Sequence, residues 1–231
     1  MTTPKKVLIL GANSSIVEET ILELLKLGVE VDGSFREFPE FSTYAERFSE
    51  IFTLDLASEE SIAKFSTAIQ EKVYDFILCA IGKTSGVSLE SNTYVNVMEV
   101  FKTNVIGLLF LLPQLQDSLQ ENGSICLIGS SSADGNSYDV VYSSSKAALR
   151  AGAMSYARRL STNQSIYVLE PSLVEESTMY TEMTDENVQI HREKWNGNLL
   201  NQKDISAAIL KLYNYERPQE VVLKLRPVGG E

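Results

Sequence analysis

Short apolar runs alternate along this chain with longer stretches in which apolar residues recur every three or four positions. Val7–Leu10, Glu30–Phe35, Ile51–Leu54, Tyr74–Ala80, Ser124–Ile128, Ser165–Leu169 and Glu220–Leu225 read as seven strands. Ile16–Leu27 carries Ile16, Thr20, Ile21, Leu24 and Leu27 on one helical face, and Gly28 is placed to end that helix. A second helix opens at Ser58-Glu59-Glu60-Ser61, an N-terminal signal, and runs to about Lys72. Tyr94–Leu119 is a long helical stretch that Pro113 is expected to bend or split. Val141–Ser161, rich in small residues, and Asp204–Tyr215 complete the helices. Strands and helices alternate over the whole length, which predicts the α/β class: a doubly wound parallel sheet with helices on both faces and right-handed crossovers. One domain over residues 1–231 is expected, with no repeat or linker. The exception to the pattern is 173–203, polar and without a clear period, which is expected to serve as a substrate lid.

Composition narrows the function. The 231 residues are enough for one large core, and 44% hydrophobic with 22% charged content is ordinary for a soluble protein. The net charge of −11 argues against nucleic acid and anionic membrane partners. Cys79 and Cys126 both lie in apolar runs and read as buried free thiols in a reducing compartment, a disulfide being the minor alternative. A single histidine and no paired cysteine spacing speak against a metal site. Val7–Leu10 is too short for a signal core or a membrane span, and no other stretch reaches membrane length without charge, so a cytoplasmic location is expected.

Two stretches carry chemistry. Tyr142-Ser143-Ser144-Ser145-Lys146 sets a phenol and an ammonium one helical turn apart on one face. A lysine beside a tyrosine favours the tyrosinate and lowers its pKa, which suits proton exchange with a carbonyl or an alcohol. Leu10-Gly11-Ala12-Asn13-Ser14-Ser15-Ile16-Val17 follows the first strand and opens the first helix. In a doubly wound fold that is where a dinucleotide pyrophosphate meets backbone N–H groups and a helix N-terminus.

With these motifs the chain resembles the short-chain dehydrogenase/reductase family, whose first turn reads Thr-Gly-x-x-x-Gly-x-Gly. Gly11 matches the first glycine, while Ser15 and Val17 replace the second and third. The resemblance spans almost the whole chain and implies a Rossmann fold and a nicotinamide cofactor. It implies cofactor contacts from Gly11, Asn13, Ser14, Ser15 and Ile16 in the turn, and from Ser34 and Arg36 after the second strand. Arginine there suits a 2′-phosphate and so points to NADP, with NAD as the alternative. Asp55 and Leu56 resemble the acidic–aliphatic pair over the adenine. Cys79-Ala80-Ile81-Gly82 stands where the family has Asn-Asn-Ala-Gly, so Ala80, Ile81 and Gly82 are expected at the cofactor. Pro171, Val174 and Thr178 follow the sixth strand at the positions expected to meet the nicotinamide and pyrophosphate, Ser172 replacing a family glycine.

The resemblance also implies a catalytic set. Ser130 would hydrogen-bond the substrate oxygen, with Ser131 and Ser132 as rivals in register. Tyr142 would carry the proton, and Lys146 would lower its pKa and hold the nicotinamide ribose. Asn104, an unfavourable residue for a helix interior, would hold a water in the proton relay. In the lid, Tyr180, Met183, His191 and Trp195 could line a pocket or merely pin the segment, and a lone histidine in a polar segment is more often at the surface. The expectation is an NADP-dependent oxidoreductase that reduces a ketone or oxidises a secondary alcohol, acting on a small molecule as a homodimer or homotetramer. The alternative is a cofactor-impaired relative that serves as a non-enzymatic regulatory or assembly module, motivated by Ser15, Val17 and the missing asparagines.

Overall fold

A computed structural model of the protein describes residues 5–37, 45–86, 88–135, 137–161, 163–214 and 221–228. The expected limits at Tyr215 and Glu220, and the segment Met1–Pro4, lie outside the described residues. The strands are β1 (Lys6–Leu10), β2 (Glu30–Phe35), β3 (Glu50–Thr53), β4 (Tyr74–Cys79), β5 (Leu119–Ile128), β6 (Ser165–Pro171) and β7 (Val222–Leu225). They form one sheet in the order β3-β2-β1-β4-β5-β6-β7, and every pairing is parallel. The helices are α1 (Glu18–Lys26), α2 (Glu59–Ile69), α3 (Tyr94–Phe101), α4 (Gly107–Asp117), α5 (Val140–Tyr156), α6 (Thr178–Glu182), α7 (Asp185–Lys194) and α8 (Gln202–Tyr213). This is the doubly wound Rossmann architecture expected from the alternation.

Both faces of the sheet are covered, so its strands are apolar on both sides. Val7, Ile9, Phe76, Leu78 and Cys126 face one layer with Ile21 and Leu24 of α1 and Ile205 and Ile209 of α8. Leu8, Leu10, Ile77, Cys79 and Leu127 face the other with Phe65 of α2, Leu111 of α4 and Leu149 of α5. The two cysteines therefore lie on opposite faces, both buried and free, which removes the disulfide alternative.

The long helical stretch is interrupted at a place the pattern did not indicate. It breaks into α3 and α4 at a π-helical turn, Lys102–Ile106, whereas Pro113 sits inside α4. The carbonyl that Pro113 deprives of its donor belongs to Leu109, on the half-exposed outer face of α4, where water can satisfy it. Gly107 follows the π-turn because a Cβ there would stand 2.0 Å from the Leu56 carbonyl oxygen. By length and composition Tyr94–Asp117 would suit a membrane span, yet here it packs against α2, α5 and β5.

Two shorter differences bear on the site. The first helix begins as a 3-10 turn, Ser15–Val17, before α1 proper. The 173–203 segment is not irregular: it contains α6 and α7, and α7 has no apolar stripe that could have announced it. The parallel order reverses between β1 and β4, and at such a switch point the crevice beyond the strand carboxyl ends is where ligands bind.

Candidate active site

At the carboxyl end of β1 the chain turns through Gly11 with φ +77°. A Cβ there would lie 2.8 Å from Ile81 Cγ1 and 3.1 Å from Ile81 N, so only glycine fits. The turn is latched to the end of β2: the Ser34 carbonyl accepts from Gly11 N at 3.1 Å and from Ala12 N at 2.9 Å. Ser34 Oγ also accepts from Gly11 N, at 3.3 Å, and the residue is wholly buried. Ser34 thus braces the turn from within, rather than presenting its hydroxyl to a ribose. Arg36, two residues on, is exposed.

Asn13 is exposed and Ser14, Ser15 and Ile16 are half-buried, forming the rim of the turn. Val17 is fully buried in the layer with Ile9, Ala12 and Ile21. The branched side chain that replaces the family's third glycine therefore points into the core and leaves the rim clear. Ser15 Oγ accepts from Thr178 N at 3.3 Å, so the start of α6 reaches the turn.

The expected adenine pair is divided. Asp55 Oδ1 accepts from Ala57 N at 2.8 Å, which shapes the entry to α2, while Leu56 is buried in the core under α4. Leu56 is thus a packing residue, because Gly107 draws α4 down onto its backbone. Ala80 is buried and Ile81 half-buried; the Ala80 N–H donates to the Leu10 carbonyl at 2.8 Å, which brings the two strand ends together. Pro171 ends β6, and Val174 forms a bridge to Leu200. The Val174 carbonyl accepts from Ser177 Oγ at 2.7 Å and from Ser177 N at 3.3 Å, so that oxygen is already engaged. Between them the buried Ser172 hydroxyl has no hydrogen-bond partner among the described residues, an orphan donor at the end of β6.

Ser130 follows β5 in extended conformation, and its Oγ accepts from Ser132 N at 3.1 Å. Ser132 is held in turn, its carbonyl accepting from Ser143 Oγ at 2.5 Å. Among the three serines it is Ser130 that faces the Tyr142 hydroxyl. α5 opens at Asp139, whose side chain accepts from Tyr142 N at 2.8 Å. Tyr142 and Lys146 are both buried, and Lys146 Nζ lies 5.7 Å from the centre of the Tyr142 ring while donating to the Ile128 carbonyl at 2.9 Å. Gly82 approaches the lysine and Asn104: a Cβ there would stand 3.3 Å from Lys146 Nζ and 3.9 Å from Asn104 Oδ1.

Asn104 sits in the π-turn, a helical irregularity that recurs at functional sites. Its Oδ1 accepts from Lys83 N, and its Nδ2 donates to the Lys83 carbonyl and to Ser145 Oγ, each at 2.8 Å. Ser145 Oγ donates to the Tyr142 carbonyl at 2.7 Å. The Asn104 amide is therefore spent on bracing: it ties the loop after β4 to α5, which leaves that side chain little capacity to hold a relay water.

Electrostatics differ from the expectation for the pair. Burial pushes the Tyr142 phenol up to about 12; the facing Ser130 hydroxyl opposes this and the Asp139 charge adds to it. Burial pulls Lys146 down to about 8, against the opposing pull of Cys79 and Glu170. The lysine directs its charge to the Ile128 carbonyl, so in the chain alone desolvation outweighs any lowering of the tyrosine by its neighbour. In the 173–203 segment, Arg192 bonds Glu175 at 2.8 Å, Trp195 is buried, and His191 is half-buried, with burial holding its pKa below the ordinary range. His191 is thus less exposed than a surface residue would be.

Sequence reasoning missed Asp139, Ser145 and Ser85. Asp139 could have been found as an acidic residue just ahead of an apolar helical run. Nothing in the pattern marks Ser85, whose partner is distant in sequence.

A doubly wound sheet with a buried tyrosine and lysine one turn apart at its carboxyl edge defines a class of nucleotide-dependent oxidoreductases. The model of the family described as short chain dehydrogenase matches residues 5–189, and the chain belongs to that family. Solved structures agree in fold. A short chain dehydrogenase family protein from Francisella tularensis superposes with a TM-score of 0.82 at 17% identity, covering 96% of this chain and 97% of that one. ElxO, solved as a Tyr-to-Phe variant with NADPH bound, superposes at 0.80 with 22% identity, covering 96% and 97%. BdcA in complex with NADPH superposes at 0.80 with 17% identity, covering 99% and 95%. No curated protein matches the sequence.

The lysine's displacement has a consequence for stability. With the folded pKa near 8, below the ordinary lysine value, the unfolded chain binds more protons between pH 8 and 10, so stability rises with pH there. Tyr142 acts oppositely only above about pH 10. Denaturant titrations at pH 7 and pH 10 should therefore show wild type gaining stability relative to Lys146→Met; a relative stability of wild type that stays constant or falls would refute this.

Proposed function

We propose that this chain is an NADP-dependent oxidoreductase that reduces a ketone, or oxidises a secondary alcohol, of a small molecule. The observation that carries this reading is the burial of Tyr142 and Lys146 against Ser130 and the Asn104-braced loop, at the edge where the sheet order reverses.

The residues present suit a nicotinamide dinucleotide. Gly11, Asn13, Ser14, Ser15 and Ile16 would cradle the pyrophosphate, and Val17 stays out of their way in the core. The exposed Arg36 would take a 2′-phosphate, which favours NADP over NAD. Gly82, Pro171, Val174 and Thr178 would border the nicotinamide half, where the unpartnered Ser172 hydroxyl offers a further donor. NADPH in ElxO and in BdcA supports the same choice. When bound, the cofactor would supply or accept the hydride.

The chain's own residues would manage the proton and the geometry. Tyr142, with its pKa near 12, is protonated at neutral pH and ready to donate to a carbonyl oxygen. Ser130 faces the same phenol and would orient that oxygen. Lys146 would lie behind the tyrosine, and Asn104 would hold the surrounding backbone. The 173–203 segment would close over the substrate as a lid on a single domain. A reducing, cytoplasmic setting suits the two free thiols.

The surface supports assembly. Tyr94, Val95, Ile106, Leu109, Phe110 and Met154 are exposed on α3, the π-turn, α4 and α5, more apolar surface than helices facing water usually carry. These faces would pair with a second copy in a homodimer or homotetramer.

Three measurements test this reading. Tyr142→Phe should lower carbonyl reduction with NADPH by about 10²–10⁴-fold while NADPH affinity and folding stay near wild type; full activity would sink the assignment. Arg36→Ala should weaken NADPH by about ten- to a hundredfold and leave NADH nearly unchanged by fluorescence titration, and an equal loss for both would contradict the phosphate role. Light scattering at micromolar concentration should give a mass at least twice that of the 25.7 kDa chain, and a monomer would refute the pairing.

A further inference from the structure

We infer that Asp139 is a positioning residue for Tyr142, fastening the start of α5, and with it the phenol, to the loop that follows β4. This rests on the reading of Tyr142 as the proton carrier. One Asp139 oxygen, Oδ1, accepts from Tyr142 N and from Ser85 Oγ, each at 2.8 Å. The other, Oδ2, accepts from Ser85 N at 2.8 Å. Ser85 passes the restraint on to α3: Asn96 Nδ2 donates to its carbonyl at 3.0 Å, and Asn92 Nδ2 to its hydroxyl at 3.3 Å.

The same loop is held at a second point. Asn104 grips Lys83 through both backbone groups and reaches α5 through Ser145. Among the described residues α5 is thus tied to the loop at Ser145 and, through Asp139, at its first turn, and Gly82, which covers Lys146, lies immediately before Lys83. Without Asp139 the loop keeps the Asn104 clamp and the α3 bonds to Ser85 but loses this tie to α5, and the first turn of α5 loses the acceptor for the Tyr142 N–H.

Asp139 also leaves its charge uncancelled. Its hydrogen-bond donors are neutral backbone and hydroxyl groups, and among the described residues it makes no ion pair. The charged groups on the elements packed against α5 are already matched or turned elsewhere: Lys83 pairs with Glu99 of α3, and Arg150 with Asp134 and Glu170. Lys102 is exposed on the π-turn, and Lys146 is directed to the Ile128 carbonyl. The carboxylate therefore opposes ionisation of the phenol, in keeping with the raised Tyr142 pKa, in which burial is the larger cause.

Two substitutions separate these effects. Asp139→Ala removes every bond; in the full-length protein, deuterium exchange of 83–86 and 140–146 should quicken by about tenfold or more. Asp139→Asn keeps a side-chain cap but loses the charge and one acceptor. Neutralising the charge makes the tyrosinate less costly, so the alkaline limb of NADPH-dependent reduction should move to lower pH, with kcat down about tenfold and KM near wild type. Ser85→Ala, which leaves the cap in place, should loosen 83–86 alone and guards against a poorly folded alanine variant. Unchanged exchange in both Asp139→Ala and Ser85→Ala, or an alkaline limb that stays put in Asp139→Asn, would overturn the inference. If wild type reduces no carbonyl with NADPH, the proposed function fails, and the exchange result still decides the clamp.

Discussion

The pairing of β1 with β2 on one side and β4 on the other is the constraint on which the rest of this molecule depends. Parallel strands cannot be joined by tight hairpins, so each connection crosses a face and returns, and all the carboxyl ends gather on one edge. The reversal of order beside β1 leaves a gap between outgoing helices at that edge. Gly11, Arg36, Ile81, Gly82, Ser130 and Ser172 all follow strand ends on this edge. Their meeting is a property of topology before it is a property of any side chain.

Burial then sets the electrostatics. A phenol and an ammonium set side by side in water would each keep its ordinary proton affinity. Here desolvation drives them toward their neutral forms, the tyrosine up to about 12 and the lysine down to about 8. With these values the phenol is neutral at pH 7 while the lysine stays largely protonated, its charge met by the Ile128 carbonyl. The wholly buried Glu170 is handled differently: it meets Arg150 in two contacts at 2.6 Å. The site thus combines a neutral phenol and a carbonyl-bound lysine with a nearby Arg150–Glu170 ion pair.

The departures from the family's glycine turn are absorbed by local geometry. Val17 turns into the core, and the opening of the first helix tightens into a 3-10 turn around it. Ser15 finds a partner in Thr178 N, and Ser34 replaces a ligand contact with a brace on Gly11. Each substitution adds atoms that the fold places inside the protein or between its own segments. The rim at Asn13 and Ser14 is left accessible.

The periodicity of the chain determined the seven strands, the parallel class and most helix positions, because burial on two faces demands near-continuous apolar runs in strands and a stripe on each helix. It also marked Tyr142 and Lys146 as neighbours, since that spacing is local. What it could not reveal was decided in three dimensions. The π-turn at Asn104 depends on Lys83 and Ser145, partners 21 and 41 residues away. Leu56 becomes core because Gly107 lets α4 approach, and Ser34 turns inward because Gly11 needs a brace. The sign of the tyrosine shift followed from enclosure by elements far apart in sequence, as did the grip of Asp139 on Ser85, 54 residues distant. Local spacing fixes which residues share a face; only the packed structure decides what that face is pressed against, and with it how strongly each group holds its proton.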